Sequence, residues 1–163
     1  MDAAADAIVR PDCILIGWSL GGVLAIGAAA RQPESVRALV LISTTPRFTD
    51  AWPARVIQRM QRRLAREPEA TIADFQNRAG IPGAACELRN SGLEYLATCD
   101  LRNSLAALPC PILWIHGDAD PIIPHSCIAP REQDQVSILP GIGHAPFLET
   151  PETCELRIRE FLR

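Results

Sequence analysis

The chain of 163 residues contains no lysine, and all sixteen of its basic side chains are arginine. Lysine-dependent chemistry is therefore excluded. The apolar runs are short, since none approaches the roughly 20 residues that a membrane-spanning helix requires. Residues 1–10 lack a basic segment followed by an apolar one, so they do not resemble a secretory signal. We therefore expect a cytoplasmic chain that does not associate with membranes.

Signals for disulfides, metal sites and nucleic-acid binding are also missing. The six cysteines form no Cys-x-x-Cys pair, and the three histidines lack His-Glu-x-x-His spacing. Without a secretory signal, the cysteines are expected to be free thiols in a reducing compartment. The formal net charge of −3 argues against broad nucleic-acid binding. The remaining composition, 48% apolar and 21% charged, is that of an ordinary globular domain.

The first part of the chain has the pattern of a β-α-β unit. Residues Cys13–Trp18 form a short apolar run without helical periodicity, as expected of a strand buried on both faces. A helix of small apolar residues follows at 23–30, and Val36–Ile42 is a second apolar strand. Strand, helix and strand in such close succession predict a parallel sheet.

The last third of the chain resumes this pattern. Strands are predicted at 111–115 and Gln135–Leu139. A final helix is predicted after Thr150, which would be its N-cap, with Pro151 at the first helical position. The residues predicted to face the core from this helix are Cys154, Ile158, Phe161 and Leu162.

The segment between these two parts has little strand signal. We therefore predict a helical cap at residues 46–99, inserted into an α/β core made of residues 1–45 and 100–163. Besides the helix Ala54–Arg66, the cap region predicts helices at 70–78 and 93–108. Breaks are predicted at 80–83 and 90–92.

The helix Ala54–Arg66 is strongly amphipathic. Its apolar side chains fall within one arc of about 100°, which predicts a buried face. Its arginines fall on the opposite arc: Arg55, Arg59, Arg62, Arg63 and Arg66.

The motif Gly17-x-Ser19-x-Gly21 lies where the first strand meets the first helix. A sharp turn there would hold the serine in a strained backbone conformation, and the flanking glycines would avoid clashes. The turn would raise the Ser19 hydroxyl above the sheet edge and place the Leu20 amide where it could stabilise an oxyanion. Ser19 is therefore a predicted nucleophile. The alternative is a glycine-rich turn with an incidental serine.

A nucleophilic serine needs a base, and the base needs an acid that orients it. Asp120 and His144 follow the third and fourth predicted strands, at the end of the sheet where open α/β proteins place their sites. Asp118 is the rival acid. We expect His116 to make a structural hydrogen bond and His125 to lie at the surface.

The hexapeptide Gly17-Trp18-Ser19-Leu20-Gly21-Gly22 resembles the nucleophile elbow of the α/β-hydrolase superfamily. Its Trp-Ser-Leu version is similar to that of the pimeloyl-[acyl-carrier protein] methyl ester esterases of biotin synthesis. The resemblance extends over essentially the whole chain and is weakest in the cap. Other fragments similar to that family are Thr44-Thr45-Pro46-Arg47-Phe48, Trp52-Pro53, Gly92-Leu93-Glu94, Asp100-Leu101-Arg102 and His144-Ala145-Pro146-Phe147.

This resemblance implies an α/β-hydrolase fold, with a mostly parallel sheet, helices on both faces and a helical cap. Compared with the family, we expect the N-terminal strands to be absent from this chain. The resemblance also implies Ser19 as nucleophile, Asp120 as orienting acid and His144 as general base. Leu20 would supply an oxyanion amide and Trp18 would line the acyl pocket. Phe75 is assigned either to that pocket or to the core of the cap. No metal or organic cofactor is implied.

The implied substrate is the methyl ester of a pimeloyl-type chain on acyl carrier protein. The five arginines of Ala54–Arg66 could bind that acidic partner, or they could form an ordinary solvated face. The carrier-contacting arginines of the family do not map cleanly onto them. Acidic residues occupy part of that neighbourhood: Glu67, Glu69 and Asp74.

One expected part of the site is missing from the sequence. The second oxyanion donor commonly follows an early strand and a His-Gly pair, and no such segment precedes residue 13. We therefore expect this chain alone to be weakly active or inactive, with an apolar first strand whose free edge pairs or aggregates. The alternative functions are a general esterase or related hydrolase of small substrates, and an inactive remnant or binding subunit.

Overall fold

A computed structural model describes residues 1–83 and 90–163. Within these ranges a single sheet contains four parallel strands in the order β1-β2-β3-β4. The strands are β1 (Cys13–Trp18), β2 (Val36–Ile42), β3 (Ile112–Gly117) and β4 (Gln135–Leu139). The four predicted strands are confirmed, and β3 runs two residues beyond its predicted end.

Eight α-helices lie in the described ranges. They are α1 (Asp2–Asp6), α2 (Leu20–Arg31), α3 (Ala54–Arg66), α4 (Pro68–Arg78), α5 (Asn90–Thr98), α6 (Arg102–Ala106), α7 (Pro146–Glu149) and α8 (Pro151–Phe161).

Helices cover both faces of the sheet. Alternate residues of each strand point to opposite faces, so each strand contributes to both layers of packing. Leu39 and Leu41 of β2 pack on one face with apolar residues of α1, α2 and α6. Val40 and Ile42 pack on the other face with Cys154 of α8. The central strands β2 and β3 are therefore almost wholly buried, as their continuous apolar sequences predict. This arrangement confirms the predicted fold class.

The cap helices form a third apolar cluster beside the carboxyl ends of the strands. Ile57 and Leu64 of α3 pack with Leu93 of α5, and Ile122 and Ile123 from the loop after β3 belong to the same cluster. The cap thus contacts the loop that holds the predicted acid. The domain boundaries proposed from the sequence stay a prediction.

Two predictions about the cap helices were wrong. The single helix predicted at 93–108 is divided into α5 and α6, because the backbone leaves the helical conformation at Leu101. The Asp100 carboxylate accepts the Arg102 amide at 3.2 Å at this break. The Leu101 amide meanwhile donates to the Pro46 carbonyl at 2.9 Å. The break predicted at 90–92 is the first turn of α5.

The last helix also differs in detail. Thr150 precedes α8 as predicted, but its hydroxyl donates to the Pro146 carbonyl at 3.2 Å and caps no amide of α8. Leu162 is 39% exposed because α8 ends at Phe161. Cys154, Ile158 and Phe161 do face the core.

The cysteines with described side chains are Cys13, Cys99, Cys110, Cys127 and Cys154, and all of them are free thiols. Burial raises the pKa of the Cys110 and Cys154 thiols, which disfavours the reactive thiolate. Cys86 lies outside the described residues. In the ranges that the structure covers, no helix combines the length and apolar character needed to cross a membrane.

Strand β1 lies at an edge of the sheet, and its Ile16 side chain is 57% exposed. A free edge with an apolar side chain favours pairing between copies. We expect Ile16→Lys to reduce concentration-dependent association in analytical ultracentrifugation, whereas Leu156→Lys on the exposed face of α8 should leave it unchanged. Equal association of wild type and Ile16→Lys would contradict this prediction.

Candidate active site

Ser19 is the only residue between β1 and α2, and its backbone is strained. It has a φ of 53° and a ψ of −123°, a conformation that costs a non-glycine residue about 1–3 kcal/mol. Four hydrogen bonds hold its backbone there. The Ser19 amide donates to the Ile42 carbonyl at 3.0 Å. The Ser19 carbonyl accepts the Thr44 hydroxyl at 2.7 Å and the amides of Gly22 and Val23 at 3.0 and 3.4 Å.

Close contacts explain why two of the positions around Ser19 must be glycine. A Cβ on Gly17 would lie 2.5 Å from the Gly22 Cα, and a Cβ on Gly22 would lie 2.5 Å from the Thr44 Cγ2. A Cβ on Gly21 would meet nothing within 4 Å. The expectation that Gly21 avoids a clash was therefore wrong, because the crowded position is Gly22.

The turn also leaves free amides beside the Ser19 hydroxyl. Helix α2 begins at Leu20, immediately after the serine, and the first amides of a helix have no acceptor within it. The amide of Gly22 already donates to the Ser19 carbonyl, so the Leu20 and Gly21 amides are those at the open end. The Leu20 amide is therefore one of the unpaired amides at the N-terminus of α2, and its role as an oxyanion donor stays a prediction.

Asp120 and His144 form a buried pair. The His144 Nδ1 lies 2.7 Å from the Asp120 Oδ2, and both side chains are fully excluded from solvent. A carboxylate only accepts hydrogen bonds, so the Nδ1 carries a hydrogen and donates it to Asp120. A histidine that acts through its Nε2 needs its Nδ1 held in this way.

The Asp120 carboxylate is saturated with donors. Its Oδ1 accepts the amides of Ile122 and Ile123 at 2.8 and 3.0 Å, and its Oδ2 also lies 3.3 Å from the His116 Nε2. Burial alone would raise the pKa of Asp120, but hydrogen bonds from His116, His144 and Ile123 outweigh it and hold that pKa well below the usual range. Asp120 is therefore a carboxylate at any pH relevant to activity.

The rival acid Asp118 points elsewhere. It is exposed, and its carboxylate accepts the Gly141 amide at 2.6 Å. Its own amide donates to the Leu139 carbonyl, so Asp118 joins the loop after β3 to the loop after β4. The structure thus brings Asp120, and not Asp118, to His144.

Trp18 contacts the loop that carries His144. Its indole Nε1 donates to the His144 carbonyl at 2.7 Å, and its ring lies 5.4 Å from the His144 ring and 5.2 Å from the Phe147 ring. This contact was not foreseen from the sequence, which assigned Trp18 to the acyl pocket. The pocket role stays a prediction, and the observed contact ties the residue before Ser19 to His144.

The hydrogen bond from Ser19 to His144 is not formed in this structure. The His144 Nε2 is buried and has no hydrogen-bond partner. Hydrogen bonds of this kind are often long in a ligand-free enzyme and tighten when substrate binds. The His144 Nε2 is therefore left without a partner, while the Nδ1 is held by Asp120.

The remaining predicted residues lie in the cap, on the surface and in β3. Phe75 is half-buried and packs in the apolar cluster of the cap, while His125 is exposed. His116 is buried and makes the expected hydrogen bond, with its Nε2 2.7 Å from the Ile123 carbonyl.

The arginine face of α3 is only partly free. Arg63 forms an ion pair with Asp74 of α4 and lies 3.9 Å from Glu67. This contact lowers the pKa of Asp74. The other arginines at this end of the helix border a shallow groove of about 410 Å³ together with Arg63 and Glu67: Arg59, Arg62 and Arg66. Among the described residues, no group of three or more His, Cys, Asp or Glu side chains could hold a metal ion.

Known proteins share the sequence pattern and the fold of this chain. The sequence pattern described as "Alpha/beta hydrolase family" matches residues 1–155. A pimeloyl-[acyl-carrier protein] methyl ester esterase of Xanthomonas campestris pv. campestris (strain B100) is 37% identical, over 89% of this chain and 68% of its own length. The esterase of the same name from Xylella fastidiosa (strain M23) is 32% identical, over 97% of this chain and 74% of its own.

A solved structure shows the same fold. The thermophilic esterase of Thermogutta terrifontis superposes with a TM-score of 0.72 at 27% identity, over 94% of this chain and 65% of that one. The chain therefore belongs to the α/β-hydrolase family. Within it, the chain falls among the carboxylic ester hydrolases. It spans about two thirds of the length of these relatives, 68% of the Xanthomonas protein and 65% of the Thermogutta structure.

The two adjacent glycines of the serine turn should respond differently to alanine. In Gly22→Ala the new methyl group would displace Thr44 from the Ser19 carbonyl, so we expect the free energy of unfolding to fall by about 1–3 kcal/mol. In Gly21→Ala the methyl group enters open space, and alanine favours a helix by up to about 1 kcal/mol. Urea denaturation measures both, and a larger loss in Gly21→Ala would contradict the steric explanation.

Proposed function

We propose that this chain carries the catalytic residues of a serine carboxylesterase, with Ser19 as nucleophile, His144 as general base and Asp120 as orienting acid. The observation that carries the proposal is the buried 2.7 Å contact between the His144 Nδ1 and Asp120, which leaves the Nε2 as the ring nitrogen of His144 without a hydrogen-bond partner. The strained backbone of Ser19 also supports the proposal. So does the neighbouring Trp18, whose indole binds the His144 carbonyl.

The reaction proceeds through an acyl-enzyme. The Ser19 oxygen attacks the ester carbonyl while the His144 Nε2 takes its proton, and the Leu20 amide stabilises the negative charge on the carbonyl oxygen. His144 then gives the proton to the departing alcohol. Water attacks the acyl-enzyme with help from the same histidine, which releases the acid and restores the serine. Asp120 stays ionised throughout and stabilises the positive imidazolium.

Substitutions of Ser19 and Asp120, with Asp118 as a matched control, test the catalytic assignment. We expect Ser19→Ala and Asp120→Asn to lower kcat/KM for p-nitrophenyl butyrate by at least about 10³-fold, because each removes a part of one cooperating unit. Asp118→Asn is the control, since that side chain touches Gly141 and not His144. Measurable hydrolysis by the wild type that persists in Ser19→Ala would exclude the assignment.

For the substrate, we propose the methyl ester of a pimeloyl-type chain carried on acyl carrier protein, as a step in making a biotin precursor. Support comes from the names of the relatives and from the fragments that resemble that family. The exposed arginines of α3 offer a positive face to an acidic carrier. Free thiols favour a reducing compartment such as the cytoplasm.

A general esterase of small substrates is the second candidate. It is favoured by the ion pair between Arg63 and Asp74, which withdraws one arginine from the positive face. The likeness to the Thermogutta esterase also supports it. The two candidates share the catalytic residues and differ in what the cap recognises. The weak activity expected of this chain alone stays a prediction under either.

Charge reversal on α3 separates the two candidates. We expect Arg59→Glu with Arg62→Glu to lower kcat/KM at least about tenfold for the carrier-linked methyl ester, and less for a free pimelate monomethyl ester. The carrier-specific loss should shrink at high salt. Arg157→Glu with Arg159→Glu on α8 changes the net charge equally and should affect neither substrate selectively. Equal losses on both substrates for the α3 variant would refute a carrier-binding role.

A further inference from the structure

His116 is a fully buried histidine that the proposed mechanism does not use. It lies near the end of β3, and its side chain has no solvent exposure. Its Nε2 lies 2.7 Å from the Ile123 carbonyl and 3.3 Å from the Asp120 Oδ2. Its Nδ1 is buried and has no hydrogen-bond partner.

The partners of His116 fix its proton. A carbonyl oxygen only accepts, so the Nε2 must carry the hydrogen that it shares between Ile123 and the longer contact to Asp120. A second proton on the Nδ1 would bury both an unpaired N–H group and a charge, which is costly. His116 is therefore a neutral donor. It touches the Asp120 carboxylate without cancelling the negative charge that His144 needs.

The contacts of His116 close a ring around Asp120. The amides of Ile122 and Ile123 hold the Oδ1, and His144 binds the Oδ2. His116 binds the carbonyl of Ile123 and lies against the same Oδ2. The loop can then not turn Asp120 away from His144 without breaking a bond to β3, which lies in the interior of the sheet.

We propose that His116 is a positioning residue for the Asp120–His144 pair, acting through the neutral Nε2–H group that links the Ile123 carbonyl and the Asp120 carboxylate to β3. The catalytic consequence rests on the proposed function. The geometric consequence, an Asp120–His144 hydrogen bond that depends on His116, does not.

Two amide substitutions test the proposal in the full chain. In His116→Gln the side-chain nitrogen can reach the position of the Nε2, whereas in His116→Asn it is one methylene short. Both variants keep a polar amide, so they differ mainly in whether the donor reaches Ile123 and Asp120. His125→Gln is the control, because that histidine is exposed.

The first measurement is the low-field proton resonance of the His144 Nδ1–H group. We expect it to persist in His116→Gln and His125→Gln and to be lost or broadened by exchange in His116→Asn. The second is ester hydrolysis, where His116→Asn should lose about tenfold or more in kcat with KM within about twofold. His116→Gln should stay within about threefold of the wild type.

A resonance that persists unchanged in folded His116→Asn would overturn the proposal. So would a His116→Gln variant as impaired as His116→Asn, since the volume of the ring would then be what matters. If the Asn variant does not fold, comparison of wild type with His116→Gln decides: retention of the resonance supports the proposal, and its loss refutes it. The resonance needs no turnover, so a chain without esterase activity still gives a result. Esterase activity that survives in Ser19→Ala would count against the proposed function and leave the geometric claim untouched.

Discussion

The Asp120 carboxylate and its donors, buried between two loops, are what the rest of the site depends on. Two backbone amides and His144 donate to its two oxygens, and His116 lies against the second. A buried carboxylate without donors would be unstable and would take up a proton. With them it remains charged and holds the Nδ1 of His144 by a hydrogen bond. The catalytic role proposed for Ser19 depends on this pair.

Close packing at the carboxyl ends of the strands brings the parts together. A Cβ on Gly117 would lie 2.0 Å from the Ile142 carbonyl, so only glycine lets the loop after β3 approach the loop that carries His144. Gly17 and Gly22 allow a similar approach at the end of β1. Because the strands are parallel, all these turns lie at one edge of the sheet. Trp18, at the end of β1, then connects the serine turn to the histidine loop by donating to the His144 carbonyl.

The strands and the residues of the pair could be predicted because their signals are local. Continuous apolar runs located β1 and β2, and the order of Ser19, Asp120 and His144 located the candidate site. Which of Asp118 and Asp120 contacts His144 depends on loops that are distant in sequence, and the spacing of the residues does not reveal it. The crowding at Gly22 and the indole contact of Trp18 are likewise long-range. The break before α6 combines a local contact with a distant one. The Arg102 amide donates to the nearby Asp100 carboxylate, and the Leu101 amide donates to the distant Pro46 carbonyl.

Covalent labelling tests the central claim most directly, because it needs a nucleophile and a base but no complete substrate pocket. A p-nitrophenyl alkylphosphonate should release one p-nitrophenolate per chain as the Ser19 oxygen bonds to phosphorus, and mass spectrometry should place the adduct on Ser19. We expect His144→Gln to slow this reaction by at least about 10³-fold. An adduct on another residue, or labelling of Ser19 at the same rate in His144→Gln, would contradict it.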